Sequence, residues 1–289
     1  LWTRQFGTGG VDRATGVAVS AGAVYVVGYT SSAFAGYTNA GKDDLWVTRF
    51  GQSGTRHWTR QLGSTDLDRA QAVAVDDLGT VYVGGYTNGV LPGQTPLGGS
   101  DAFLVRYDQS GVLLQTSQFG TDLADEVTGV AVDVARGTVV AGKTDGAFPG
   151  YANAGFGDVF VQRADKDGHE LWTTQFGSVF DDRATGVAMD AADGVYVGGR
   201  TPGILPGQAT QGAQDAFIRK YNAAGVSQWL QQFGTSANDD VAAVAVDGVG
   251  RVVITGTTYG VFDESAFGGA DAYVRRYSAD GEMLLARQF

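Results

Sequence analysis

The sequence has no cysteine, and it has only 5 prolines and 2 histidines among 289 residues. Without cysteine, the chain makes no disulfide, no thiolate nucleophile and no zinc site with Cys ligands. No apolar run approaches the roughly 18–20 residues that span a bilayer as a helix, so we predict no membrane insertion. The HExxH, GxSxG and phosphate-loop signatures are missing too, so the common catalytic motifs are not present.

Positive charge is also scarce. The chain has 20 Lys and Arg against 31 Asp and Glu, a formal net charge of −11. An acidic surface repels the phosphates of nucleic acids and anionic membrane headgroups, so neither is an expected partner. The same charge suits a cationic partner or weak cation binding.

Glycine is abundant, with 45 copies. The glycines stand between short apolar stretches, a distribution typical of many short strands joined by tight turns. No stretch keeps a 3.6-residue periodicity, so we expect almost no helix.

One short phrase recurs along the chain at a spacing of roughly 57 residues, which is the mark of a repeat architecture. Its copies are WTRQFG from Trp2, WTRQLG from Trp58, QTSQFG from Gln115, WTTQFG from Trp172, WLQQFG from Trp229 and LARQF from Leu285.

Each period predicts four strands. In the second period these are Ala70–Val75, Val81–Thr87, Asp101–Tyr107 and a strand ending at Phe119. Asp-x-x-Gly turns precede the second and fourth strands, because Gly supplies the positive φ that such turns need.

Four antiparallel strands in a repeat of this length are the size of one propeller blade. We therefore predict an all-β fold, a single β-propeller domain over residues 1–289 with five four-stranded blades. The repeats cover residues 7–62, 63–119, 120–176, 177–233 and 234–289. The strand of small residues should lie innermost, where blades converge, and the Trp-bearing strand outermost.

The pattern Asp68…AVAVDDLGTVYVGGYT…DAFLVRYDQSG resembles the bacterial SBBP-type β-propeller repeat, as do the parallel stretches from Asp12, Asp125, Asp182 and Asp239. The resemblance covers essentially the whole chain. It implies a propeller fold in exported, cell-surface or secreted proteins, with no shared enzymatic activity and no defined site. The family's name suggests seven blades, whereas five repeats are present here.

The two ends of the chain supply one strand too many. Residues 1–6 predict an extra outer strand, which would close a ring by pairing with the other end of the chain. Residues 284–289 duplicate it, so either one terminal strand is displaced or the chain belongs to a larger ring or array. Because the chain starts at Leu1 without a signal peptide, we expect a processed or partial product of a longer protein with other domains.

One aspartate per repeat follows the recurring phrase, and we consider this series as metal ligands: Asp12, Asp68, Asp125, Asp182 and Asp239. A ring of carboxylates would bind Ca²⁺ or another hard cation through oxygen. The alternative, which we favour, is that each carboxylate accepts backbone N–H bonds at a turn or blade junction. A second series precedes the third strand of each repeat: Asp44, Asp101, Asp158, Asp215 and Asp271.

Two further features favour structural roles. A glutamine recurs in every copy of the phrase, and its donor and acceptor groups suit a tie between strands or blades. The DKDGHE segment from Asp165 begins like a calcium loop but lacks the rest of that pattern, and it aligns with hairpin turns, so we predict a turn.

The loops between second and third strands differ most among the repeats, and in a propeller they gather on one face. Aromatic rings beside amides and hydroxyls suit sugars or peptides, whereas the alternative is that the rings fill gaps between blades. The predicted ligand-binding residues are Phe34, Tyr37, Phe148, Tyr151, Tyr259 and Phe262, with Phe156 and Phe267 in the same loops.

Three functional hypotheses follow. The preferred one is a non-catalytic extracellular or cell-surface module that binds a protein or glycan through these loops. The second is a scaffold or spacer within a larger repeat protein. The third is a propeller glycoside hydrolase, which would need an acidic pocket outside the repeat pattern.

Overall fold

The computed structural model describes residues 2–133, 135, 137–262 and 268–289, and within these ranges it contains strands and no helix. Five four-stranded sheets are present, each built from four consecutive strands that are hydrogen-bonded in sequence order. These are the five blades of a β-propeller, so the predicted fold class is confirmed. The strands are β1 (Asp12–Ser20), β2 (Ala23–Thr30), β3 (Asp44–Phe50), β4 (Arg56–Leu62), β5 (Asp68–Val75), β6 (Val81–Thr87), β7 (Asp101–Tyr107), β8 (Leu113–Phe119), β9 (Asp125–Asp133), β10 (Gly137–Thr144), β11 (Asp158–Ala164), β12 (Glu170–Phe176), β13 (Arg183–Met189), β14 (Val195–Thr201), β15 (Asp215–Tyr221), β16 (Ser227–Phe233), β17 (Asp239–Val246), β18 (Val252–Thr258), β19 (Asp271–Tyr277) and β20 (Met283–Gln288).

The strands of the second blade match the sequence prediction closely. Strands β6 and β7 have the predicted bounds, β8 ends at Phe119, and β5 begins at Asp68, two residues before the predicted start. The Asp76 carboxylate accepts N–H bonds from Leu78 and Thr80, and Gly79 has φ +81°, so the turn before β6 has the expected chemistry.

The chain divides into two compact units, Leu1–Ala135 and Arg136–Phe289. In the first unit β5 contacts both β1 and β9, and in the second unit β13 contacts β17, so first strands of successive blades lie side by side. Small residues make this approach possible. A Cβ at Gly16 would lie 3.2 Å from Val73, and one at Gly186 would lie 3.2 Å from Val244.

The hydrophobic core of the first unit forms from the middle strands of its blades. Tyr25, Val47, Val83 and Phe103 belong to one cluster, and each is at most 1% exposed. Alternating strand residues supply these side chains, as a sheet buried on its faces requires. No helix in the described ranges is long and apolar enough to cross a membrane.

In three blades a tryptophan on the outer strand attaches that blade to a turn of the next one. The Trp58 Nε1–H donates to the Gln109 carbonyl at 3.1 Å, and the Arg60 Nε–H donates to the Gly111 carbonyl at 2.6 Å. In the second unit, Trp172 and Trp229 donate in the same way to the carbonyls of Ala223 and Ala279.

Residues 2–6, predicted as a twenty-first strand, belong to none of the described strands. They lie on the first blade through side chains instead. The Trp2 Nε1–H donates to the Gln52 carbonyl and the Arg4 Nε–H to the Gly54 carbonyl, each at 2.8 Å. This segment therefore makes the contact that an outer strand makes with the following blade, without joining a sheet ladder.

Candidate functional site

The five aspartates considered as metal ligands all accept a backbone N–H bond from the residue four positions earlier. The N···O distances run from 2.5 to 2.7 Å, and the donors are Thr8, Ser64, Thr121, Ser178 and Thr235. This is the hydrogen bonding that the turn alternative expects. The aspartates begin separate sheets or precede them, and within the described ranges no close group of three or more potential metal ligands includes any of them.

Asp68 is one of the four buried members of this series, whereas Asp12 is half-buried. The Asp68 carboxylate is 0% exposed and also accepts hydroxyl bonds from Ser64 and Thr87. Burial raises the pKa of Asp68 to about 6, against the opposing effect of these hydrogen bonds, and the charge of Asp44 adds to the rise. Burial likewise raises the pKa of Asp182. Protein N–H and hydroxyl groups already donate to these carboxylates. Their raised pKa values therefore bear on the stability of the fold.

The invariant glutamines tie each outer strand to the loop of its own blade. The Gln61 Oε1 accepts the N–H of Phe34, and its Nε2 donates to the Ser32 carbonyl and to Asp44 Oδ2. The equivalent three bonds occur at Gln118, Gln175, Gln232 and Gln288. The second aspartate series and the glutamines thus form one buried support for the loops.

Three of the predicted ligand-binding rings pack inside the blades. Phe34 and Phe148 are each 6% exposed. Phe262 packs against Tyr273 with the ring centroids 5.3 Å apart. The backbone N–H of each of these three loop residues is the one bonded by the blade's glutamine, and Leu91 and Leu205 occupy the same place in the other two blades. Phe34 and Phe148 are therefore closed to a ligand, whereas Phe262 is half-buried.

The predicted tyrosines lie nearer to solvent. The hydroxyls of Tyr37 and Tyr151 donate to the carbonyls of Thr59 and Thr173, each at 3.0 Å. Tyr37 is half-buried, Tyr151 is 41% exposed and Tyr259 is 59% exposed. Phe267 lies outside the described residues.

The DKDGHE segment forms a hairpin turn. Asp165 Oδ1 accepts the N–H groups of Asp167 and His169, each at 2.9 Å. Asn222 accepts the N–H groups of Ala224 and Val226 in the same arrangement. The ligand atoms of Asp165, Asp167 and His169 lie close together, but Lys166 already pairs with Asp167 at 2.8 Å. The geometry is the turn that the sequence predicts.

An exposed aromatic patch in the second unit consists of Phe156, Val179 and Phe180. These residues are 76%, 65% and 48% exposed. Two short segments bring them together, because Gly157 and Asp181 form a parallel bridge and the Gly157 N–H donates to the Phe180 carbonyl. Phe156 was among the loop aromatic residues predicted from the sequence, but Val179 and Phe180 were not. The available signal was that the equivalent residues where the first blade meets the second are the polar Lys42, Thr65 and Asp66.

A cavity of about 330 Å³ lies in the first unit. Strands β1 and β2 of the first blade and β5 and β6 of the second supply its walls. The lining residues are Thr15, Tyr29, Arg69, Ala70, Gln71 and Tyr86. These lining residues were not predicted from the sequence. Their signal is a break in the repeat, since the position of Tyr29 and Tyr86 holds Lys143, Arg200 and Thr257 in the other blades.

Comparison with known proteins identifies the repeat. The family model described as SBBP, β-propeller repeat, matches residues 57–92 and 228–263. The regulatory protein FlaEY of Caulobacter vibrioides is 31% identical over 221 residues, an alignment that covers 68% of this chain and 23% of that protein. An uncharacterized WD repeat-containing protein, L264 of Acanthamoeba polyphaga mimivirus, is 28% identical over 121 residues, covering 36% of this chain and 9% of that protein.

Among solved structures, the WD40 domain of Neurospora crassa Pan2 matches with a TM-score of 0.53. The alignment covers 96% of this chain and 66% of that chain at 10% identity, so the likeness concerns the fold alone. The chain spans less than a quarter of the length of the two curated relatives.

Proposed function

The chain contains β-propeller repeats of the SBBP family, and we propose that it is a non-catalytic binding module that takes a protein or glycan ligand through its loops. The proposal places it in an exported protein, at the cell surface or outside the cell, as the family resemblance implies. It requires neither a metal ion nor a cofactor.

The observation that carries the proposal is the aromatic patch of Phe156, Val179 and Phe180. Three large apolar side chains stand in solvent on two adjoining segments. Exposed apolar residues that lie together favour an interaction surface, and aromatic residues are enriched in such surfaces. The repeat itself does not require them, because the equivalent positions between the first and second blades form an ion pair, with Lys42 and Asp66 2.9 Å apart.

The distribution of polar contacts supports the same proposal. Residues present in every repeat, such as Asp68 and Gln61, are engaged in bonds inside their own blade. Ligand selectivity then depends on residues that vary from one repeat to the next, and Phe156, Tyr151 and Tyr259 are exposed examples.

A scaffold or spacer role is the second candidate. It is favoured by the buried positions of Phe34 and Phe148, which turn two of the predicted ligand-binding rings into packing residues. Under this hypothesis the loops hold the blades together and bind nothing.

The test is binding of the purified chain to a printed glycan array and to a phage-displayed library of random peptides, with calcium and with chelator. The variant is Phe156→Lys combined with Phe180→Asp, which copies the Lys42–Asp66 pair between the first and second blades and should therefore preserve the fold. We expect selective ligands that the double variant no longer retains. A blank result in both formats, or ligands retained equally by the variant, would contradict the proposal and favour the scaffold.

A further inference from the structure

We propose that the cavity bounded by Tyr29, Arg69 and Tyr86 is a binding site for one ring of a neutral carbohydrate. The proposal goes beyond the loop-binding function, because the cavity lies in the first unit and uses none of the residues of the aromatic patch.

Arg69 is held in a rigid arrangement at the cavity wall. Its Nε–H donates to Asp43 Oδ2 at 2.8 Å, and its Nη2 lies 2.6 Å from the same oxygen. Its Nη1–H donates to the Tyr86 hydroxyl at 3.3 Å, and its guanidinium carbon lies 4.5 Å from the centroid of the Tyr29 ring. Three residues from different strands and loops therefore hold one flat, preorganised polar group at the cavity wall.

This arrangement occurs at only one junction, the one between the first and second blades. Arg69 pairs across its sheet with Tyr86, and the equivalent pairs are Arg183 with Arg200 in the fourth blade and Asp240 with Thr257 in the fifth. At this junction the first blade supplies Tyr29, and the second blade supplies Arg69 and Tyr86. No other pair of consecutive blades has tyrosine, arginine and tyrosine at these three positions. Since every blade folds, the Tyr-Arg-Tyr set is not required by the blade.

The charges around the cavity favour an uncharged ligand. The carboxylate of Asp43 neutralises Arg69 and occupies two of its donors, and the chain carries a net charge of −11, so an anionic ligand is disfavoured. A cationic ligand is disfavoured as well, because the Arg69 guanidinium already lies over the Tyr29 ring. An uncharged ligand remains.

The size of the cavity and the chemistry of its wall suit a sugar ring. A cavity of about 330 Å³ is at the lower end of the range for small-molecule sites. The Tyr86 ring offers a face to C–H groups, while phenol, guanidinium and amide groups bond hydroxyls in fixed directions. A sugar ring presents both kinds of surface, and its hydroxyls match this mixed wall better than a purely apolar ligand would.

The experiment uses the full chain and an array printed with neutral oligosaccharides and, separately, with sialylated and sulfated glycans. The variants are Tyr29→Thr and Tyr86→Thr, because threonine is the residue that the fifth blade carries at this position. The control is Arg200→Thr, which introduces threonine at the equivalent position of the fourth blade, a blade that does not line the cavity. Circular dichroism and thermal unfolding verify the fold of each variant.

We expect the wild type to bind at least one neutral glycan, with affinity weakened about tenfold or more in each tyrosine variant and unchanged in Arg200→Thr. Binding only to acidic glycans, or no binding to any neutral glycan, would overturn the proposal. So would neutral-glycan binding that survives both tyrosine substitutions. If such binding is instead lost in the Phe156→Lys, Phe180→Asp variant, the loop-binding function stands and the cavity assignment falls.

Discussion

The aspartate at the start of each first strand is a residue whose role depends on burial. Asp68 has no exposed surface and satisfies its oxygens with a backbone N–H and two hydroxyls. Hydrogen bonds lower the pKa of a carboxyl, while burial and a second carboxylate raise it. At Asp68 burial outweighs the hydrogen bonds, and the pKa of this group rises to about 6.

This shift predicts a fall in stability with rising pH. An unfolded Asp titrates near 3.9, so between about pH 4 and 6 the folded state holds the extra proton. The stabilising effect is complete below about pH 4 and is lost as the pH rises through 6, a change of up to about 3 kcal/mol in the free energy of unfolding. Asp68→Asn should flatten this decline, as measured by urea unfolding at intervals between pH 4 and 7.

Asp108→Asn is the matched control. The Ser110 hydroxyl and the turn N–H groups donate to Asp108 and lower its pKa. Asn222 makes the same turn in another blade, so this substitution should leave the decline in place. Equal pH profiles for the wild type and Asp68→Asn would show that the titration of Asp68 does not govern the decline.

The outer strand is the element that joins one blade to the next. Its tryptophan covers a turn whose fourth residue is glycine, and the two must fit closely. A Cβ at Gly225 would lie 2.8 Å from the ring of Trp172, and Gly225 also has φ +76°. The same arrangement holds for Gly111 under Trp58 and for Gly281 under Trp229.

Two alanine substitutions separate the ring contact from the backbone strain. Gly225→Ala adds a methyl group against Trp172, whereas Gly207, also at φ +76°, has nothing within 4 Å of such a Cβ. Gly207→Ala should cost about 1–2 kcal/mol for its left-handed backbone alone. Gly225→Ala should cost at least about 1 kcal/mol more, because overpacking adds to the strain. Thermal and urea unfolding measure both, and equal losses would mean that the Trp172 ring moves aside freely.

The whole molecule carries a net charge of −11 at pH 7, and its carboxylates repel one another. Salt shortens the range of that repulsion, with a Debye length of about 30 Å at 0.01 M and about 8 Å at 0.15 M. The melting temperature at pH 7 should therefore rise by a few degrees when sodium chloride is raised over this range.

The same titration near pH 4.5, the isoelectric point of the sequence, should show little effect of salt. An equal response at both pH values would point to surface hydration rather than charge repulsion. Differential scanning calorimetry distinguishes these outcomes.

The sequence by itself determined the repeat, the strands and the turns of this protein. The recurring phrase set the period, and Asp-x-x-Gly marked the turn before β6. These features are local, because strand periodicity and positive φ depend on neighbours in the chain. The SBBP β-propeller repeat could be identified from the same local positions.

Only the tertiary structure decided which aromatic residues face solvent and which side chains meet. Phe34 and Phe156 both lie in second-to-third-strand loops, yet the first packs inside its blade and the second is 76% exposed. Tyr29 and Arg69 are far apart in sequence and meet because two blades adjoin. Burial and the cavity depend on contacts between separate strands and loops, and a one-dimensional pattern carries no record of those distances.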